Sequence, residues 1–203
     1  MSLQDQIVKI VKEGNSQSLE CLLSRQVVDV NFLAKYLGCQ ATPLVMAVGK
    51  DDIRMVDVLL RFGADPNLFL ERGLDPLHVV QSAEILNSLI EHGANLKKEH
   101  YTDGFSLLRN HYRSLDLIDI FLSHGLEINS PQEEGAPLLQ FLVETFECDL
   151  EVIKLLVGRG ARCSIEGQPA GLIYADIEAE EFLRMLVSGP LHYLKCDYEA
   201  SQL

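Results

Sequence analysis

Five glycines recur at almost even intervals: Gly63, Gly93, Gly125, Gly160 and Gly189 are spaced 30, 32, 35 and 29 residues apart. A period of this size marks a chain built from stacked supersecondary units, so it limits the fold more than any local pattern does. Seven, four and three residues before each glycine stands an apolar residue: Val56, Leu59, Leu60; Leu86, Leu89, Ile90; Ile118, Phe121, Leu122; Ile153, Leu156, Val157; Phe182, Met185, Leu186. Those offsets fall on one face of an α-helix. A glycine directly after such a stripe reads as the stop of the helix, where positive φ is needed. Leu19, Leu22 and Leu23 repeat the stripe ahead of Gln26, giving a first, degenerate unit and six in all.

A shorter apolar segment lies upstream of four of the glycines, opened by Thr42-Pro43-Leu44, Asp75-Pro76-Leu77, Ser106-Leu107-Leu108 and Ala136-Pro137-Leu138. Thr, Asp or Ser supplies an N-cap oxygen, and proline fits the first helical position. Each unit therefore reads as turn, short helix, tight turn, longer helix, glycine stop and loop. His92 and His124, one residue before their glycines, are placed to meet the last helix carbonyls.

With the residues Ala41-Thr42-Pro43-Leu44, Val56, Leu59-Leu60, Gly63-Ala64-Asp65 and Asn67, and again Gly73, Asp75-Pro76-Leu77-His78, Leu89-Ile90 and Gly93-Ala94-Asn95, the chain resembles the ankyrin-repeat family. The later units depart from that pattern, and residues 167–189 keep mainly the stripe. The resemblance implies an all-α ankyrin-repeat solenoid, a single domain over 1–203 with units near 1–31, 32–67, 68–97, 98–129, 130–163 and 164–203. It also implies finger-like loops and a concave row of short helices as the binding surface, and a structural role for His78. Helix pairs of this kind cover each other's apolar faces, so the terminal ones must be polar outside. Gln4, Lys9, Lys12 and Glu13 serve at one end, and Glu178, Glu180, Glu181 and Arg184 at the other.

The loops hold more than turn chemistry. Phe32, Tyr36, Phe69, Arg72, Tyr101 and Phe105 lie in or beside them, and large aromatics and arginine are frequent interface anchors. Tyr36, Phe69, Arg72 and Tyr101 are the finger candidates for partner binding, while Phe105 reads as core. Residues 31–42 are longer and more apolar than a usual finger, as expected of a small extra helix or an adapted binding finger. Met46, Lys50, Val79, Gln81, Asn110, Tyr112, Gln140 and Glu144 are the expected concave positions, and Glu133 and Glu134 extend an acidic path alongside them.

Charge narrows the partner. Lys plus Arg number 17 against 30 Asp plus Glu, a formal net charge of −13. Such a field opposes nucleic-acid binding and favours a basic protein. Residues 127–203 hold 14 acids and 5 bases, so most of the excess lies at that end. Five cysteines without a C-x-x-C pair suit free, half-buried thiols in a reducing compartment. Charged residues interrupt the apolar pattern of the N-terminus and no run approaches a membrane span. The expected address is the cytoplasm of the producing cell or of a host cell.

Phosphate-cradle, nucleophile-elbow and metalloprotease motifs are absent from the sequence. His192 and Cys196 are an incomplete metal pair, and no cofactor is implied. Asn31, Asn67 and Asn129 resemble asparagines hydroxylated in ankyrin repeats, although a turn-stabilising role accounts for them too. The expectation is a non-enzymatic, monomeric module that binds a folded, basic protein as a stoichiometric inhibitor, with a bacterial effector or cytosolic adaptor using its aromatic fingers as the alternative.

Overall fold

The first five helices of this chain start where a side chain supplies an oxygen to the first turn. The computed structural model describes residues 2–68, 75–96, 107–128, 139 and 150–161. Its helices are α1 (Leu3–Glu13), α2 (Ser16–Arg25), α3 (Pro43–Gly49), α4 (Ile53–Arg61), α5 (Pro76–Val79), α6 (Ala83–Glu91), α7 (Leu107–Asn110), α8 (Leu115–Ser123) and α9 (Leu150–Gly158). Two strands, β1 (Ala34–Tyr36) and β2 (Cys39–Ala41), stand between α2 and α3. Thr42 Oγ1 accepts from the Val45 N–H at 3.2 Å to open α3, and Asp75 Oδ1 accepts from the Leu77 N–H at 2.7 Å to open α5. Proline follows each of these caps, where its missing N–H deprives the helix of nothing. Asp75 is fully buried, so its cap bond also satisfies a carboxylate that water does not reach.

Four long helices end in the same way. In α4 the Gly63 N–H donates to Leu60 O at 3.0 Å and the Ala64 N–H to Leu59 O at 2.9 Å. Gly93 with Ala94, Gly125 with Leu126 and Gly160 with Ala161 repeat the two bonds, and all four glycines have φ between +82° and +87°. This is the double bond of a Schellman stop, with a left-handed residue just past the helix. Helix α2 has no glycine and ends on Gln26 in extended conformation, as its degenerate stripe implied.

The first two helix pairs also share a tight linker. Gly14 takes φ +73° after α1 and Asn15, next to it, accepts from the Ser18 N–H to cap α2. Asp51 takes φ +56° after α3, and Asp52 accepts from the Met55 N–H to cap α4. One residue turns the chain in the left-handed region and its neighbour caps the next helix, so two residues reverse the direction in the first pair and three, with Lys50, in the second.

The chain divides into two compact units, Met1–Lys98 and Glu99–Leu203. Within the first, α1, α3 and α5 pack in one row and α2, α4 and α6 in another, while each of the first two pairs also packs on itself. The stripes meet at this seam: Leu19, Val56, Leu59, Leu86 and Leu89 have no exposed surface. Each such side chain contributes roughly 1.5–3 kcal/mol relative to exposure. Within the second unit α7 packs on α8, and Ile118, Phe121, Ile153 and Leu156 occupy the equivalent buried positions.

Three expectations are corrected. The described residues are mostly helical but not wholly so: of the two alternatives for residues 31–42, an extra helix or an adapted finger, the helix is not formed, and Leu37-Gly38 turns β1 back on β2, with Tyr36 opposite Cys39 and Ala34 opposite Ala41. Met46, expected on a binding face, is 0% exposed and belongs to the seam. Cys21 and Cys39 are free but exposed rather than half-buried. The polar outer side expected of the N-terminal helix is present, with Gln4, Lys9, Lys12 and Glu13 all exposed.

Candidate functional site

Two asparagines join successive helix pairs. Asn31 Nδ2 donates to Gly63 O at 3.0 Å while its Oδ1 accepts from the Asp65 N–H at 2.8 Å. Asn67 does the same one pair later, with Gly93 O at 2.8 Å and the Asn95 N–H at 2.7 Å. An Asp two residues earlier fixes each asparagine: Asp29 accepts from the Asn31 N–H and Asp65 from the Asn67 N–H. Both candidate hydroxylation residues are thus structural rungs that hold the loops in register, and Asn129 lies outside the described residues.

Polar links cross the pairs elsewhere too. The Lys50 ammonium, expected on the concave face, donates to the carbonyls of Val11 and Lys12 at the end of α1. A cation there meets unpaired carbonyls and the negative end of the helix dipole. Gln81 Nε2 likewise donates to Gly49 O at the end of α3, at 3.3 Å. Arg61 bridges to Glu20 at 3.0 Å, linking α4 to α2.

The loops fixed by these rungs carry exposed apolar side chains. In the first of them the hairpin of β1 and β2 stands out with Leu37 at its tip, 85% exposed and at φ +49°. Leucine is unfavourable there twice over: an L-residue with a Cβ resists positive φ, and a large apolar side chain gains nothing from water. Leu33 and Val27, earlier in the same connection, are also exposed. Tyr36, the finger residue expected to bind, is half-buried at the base of the turn. Beside the hairpin a groove of about 470 Å³ runs between α1 and β1, lined by Asp5, Val8, Lys9, Lys12, Glu13, Ala34 and Lys35.

The other expected contact residues fall elsewhere. Asn110 is exposed at the end of α7 and Tyr112 is half-buried just after it. Arg113 lies over the Tyr112 ring at 5.3 Å from its centroid and its Nε donates to the Tyr112 hydroxyl at 2.8 Å. His111, beside them, tilts onto the buried Phe121 ring with centroids 5.5 Å apart, a packing role. Val79 is half-buried. Phe69, Arg72, Tyr101, Glu133, Glu134, Gln140 and Glu144 lie outside the described residues, as does the pair His192 and Cys196.

A serine, a histidine and an aspartate do come together, in the wrong order for nucleophilic catalysis. Ser88 Oγ donates to Asp57 Oδ1 at 2.8 Å, tying α6 to α4. His92 Nδ1 bonds the main-chain carbonyl of Ser88 at 2.8 Å and not its hydroxyl, and His124 meets Ile120 O at 2.9 Å in the same way. Both histidines therefore finish helix ends, as their position before the glycines implied. A catalytic serine would need the imidazole as its acceptor. Among the described residues no three His, Cys, Asp or Glu side chains converge as a metal site, and no helix is long and apolar enough to cross a membrane.

Sequence reasoning singled out the segment 31–42 but missed Leu37, Lys35 and the groove. Leu37 carried only a partial sign: Gly38 suits the second position of a two-residue hairpin turn, but a leucine at the first, where positive φ is needed, argues against one. The groove had none, because its lysines come from a helix and a strand more than twenty residues apart. No curated protein matches the chain. Residues 39–69, which run from β2 through α3 and α4 to the glycine stop and the Asn67 rung, match the family model for the ankyrin repeat, so the chain contains an ankyrin repeat.

Proposed function

We propose that this chain is a non-enzymatic protein-recognition module whose repeat stack presents the 34–41 hairpin to a folded partner. Ankyrin repeats generally mediate protein–protein interactions. The observation that carries the proposal is Leu37, held exposed and at positive φ at the tip of the hairpin. Local strain and exposed apolar surface kept together are a common mark of a contact residue.

The reading extends to a single solenoid of six units over 1–203, monomeric when free and cytoplasmic, acting as a stoichiometric inhibitor of a basic protein. Support for the basic partner comes from the net charge of −13 and its concentration in residues 127–203. Such a field raises the association rate of a cationic partner and makes it sensitive to salt. The adaptor or effector reading is favoured by the apolar hairpin tip, which needs no charge to dock.

Affinity capture from source-cell lysate, washed at about 0.1 M and about 1 M salt, identifies the partner. Two variants then separate the readings: Leu37→Asp, and Glu133, Glu134, Glu144 and Glu147 together changed to Lys. The inhibitor reading expects a basic partner that dissociates in high salt and associates far more slowly with the charge variant. The adaptor reading expects a salt-resistant partner lost on Leu37→Asp alone. A captured set that neither variant changes would sink both.

A further inference from the structure

We propose that the groove between α1 and β1 is a docking site for an acidic, extended peptide segment of a partner, which joins the hairpin as its third strand. This rests on the recognition role of the hairpin and goes beyond it, because it adds to the apolar tip a second contact at the base of β1, for a segment of negative charge.

Charge comes first. Three ammonium groups line the groove, those of Lys9, Lys12 and Lys35, against the carboxylates of Asp5 and Glu13. Both carboxylates are already engaged: Asp5 closes the capping box with Ser2, accepting from the Ser2 N–H at 2.8 Å, and Glu13 pairs with Lys9 at 3.8 Å. The Lys9–Glu13 pair cancels, so Lys12 and Lys35 stand against Asp5 alone, and in a protein whose formal charge is −13 this lining is net cationic beside a strand.

The backbone supplies the second half. With Tyr36 opposite Cys39 and Ala34 opposite Ala41 flanking the turn, antiparallel alternation turns the N–H and C=O of Lys35 away from β2. Among the described residues the sheet has only these two strands. The groove is lined by Ala34 and Lys35 of β1 and by no residue of β2, so it opens on the β1 side of the hairpin. A two-stranded hairpin is of marginal stability alone and gains from a third strand. Strand addition takes affinity from main-chain bonds and specificity from alternate side chains. Here the alternate side chains would be carboxylates set against Lys12 and Lys35.

The test uses the full chain and a fluorescein-labelled peptide, acetyl-Glu-Thr-Glu-Val-Glu-Thr-Glu-amide, with fluorescence anisotropy as readout. Two control peptides carry Lys for every Glu, or N-methylated amides that cannot extend a ladder. The expected result is saturable one-to-one binding of the acidic peptide, at least tenfold weaker binding of both controls, and a shift of the Lys35 amide resonance. The double variant Lys12→Gln, Lys35→Gln, exposed side chains whose loss leaves the core intact, should bind about tenfold more weakly. Equal binding of the acidic and basic peptides, or an unchanged affinity in the double variant, overturns the proposal. Equal binding of the N-methylated peptide overturns strand addition. Salt-sensitive self-association in sedimentation that the peptide competes away assigns the groove instead to the acidic end of a second copy. A partner found by capture while these peptides fail leaves the recognition role standing and removes this site alone.

Discussion

A single asparagine does here what a loop alone cannot. Asn31 presents a donor and an acceptor two atoms apart, and the next pair answers with the Gly63 carbonyl and the Asp65 N–H. Removing both bonds while leaving their backbone partners in place should lower stability by about 1–2 kcal/mol. Asn31→Ala and Asn67→Ala, measured by urea unfolding, are each expected to show that loss. Asn31→Asp keeps the acceptor but puts a carboxylate against the Gly63 carbonyl, so it should recover none of the donor's share. Leu37 is expected to behave in the opposite sense. Leu37→Asn suits the left-handed turn and removes exposed apolar surface, so the midpoint should hold or rise by up to about 1 kcal/mol while partner capture falls. A stability loss would mean that Leu37 is a packing residue. Asp5 makes the cap of α1 sensitive to acid: hydrogen bonds from the Ser2 hydroxyl and then the Ser2 N–H hold its carboxyl below the usual range. Its folded pKa lies below the unfolded one, so its stabilisation is complete above about pH 4 and fades as pH falls through the lowered value. Helix content lost on acidification should therefore shrink in Asp5→Asn relative to the parent, as followed by circular dichroism with the start of α1 resolved by amide shifts.

The helix stop repeats as an element, and its cost is conformational. A Cβ built on Gly63 or Gly93 would meet nothing within 4 Å, so space is not what glycine provides there. Positive φ is. Gly93→Ala should destabilise by about 1–2 kcal/mol, whereas D-alanine introduced by semisynthesis at the same position should restore the parent midpoint. Equal losses from both enantiomers would show that the site is crowded after all. These stops, the stripes before them and the Thr42 and Asp75 caps were legible in the sequence because each is decided within one turn of helix. The hairpin was only half legible: residues 31–42 stood out as too apolar for a turn, but whether that length becomes a helix or two strands depends on Leu37 accepting positive φ. Met46 was misplaced for a related reason. Alternation along a seven-residue helix such as α3 cannot distinguish a groove-facing side chain from a seam-facing one when all of Pro43 to Val48 is buried. Lys50 and Gln81 were read as contact residues because nothing in a linear pattern shows that the carbonyls of an earlier helix lie within reach.

At the scale of whole folding units, the inter-pair links make a specific demand on residues 1–98. Both asparagine rungs, the reach of Lys50 to α1 and of Gln81 to α3, the Arg61–Glu20 bridge and the Ser88–Asp57 bond all begin and end inside Met1–Lys98. Four residues after Gly63 stands Asn67 but four residues after Gly93 stands Lys97, and among the described residues Asn67 is the last rung of that series within the unit. Three pairs are about the number at which a repeat stack becomes stable by itself, and nearest-neighbour coupling then decides whether the pairs melt together. A fragment of residues 1–98 should accordingly fold alone. It carries 12 acids against 10 bases, so self-repulsion is small and its midpoint should depend little on salt. The exposed Cys39 gives a local probe once Cys21, also exposed, is changed to serine. A dye on Cys39 reports the hairpin while far-ultraviolet circular dichroism reports the helices. Coincident urea transitions by the two probes are expected, because the hairpin leads directly into the Thr42 cap and α3, which packs on both α1 and α5. Adding Asn67→Ala removes the rung between the second and third pairs and should pull the transitions apart, the helical signal broadening first. Transitions that are separate before that change would mean that the pairs fold one at a time and that the rungs hold register without coupling stability.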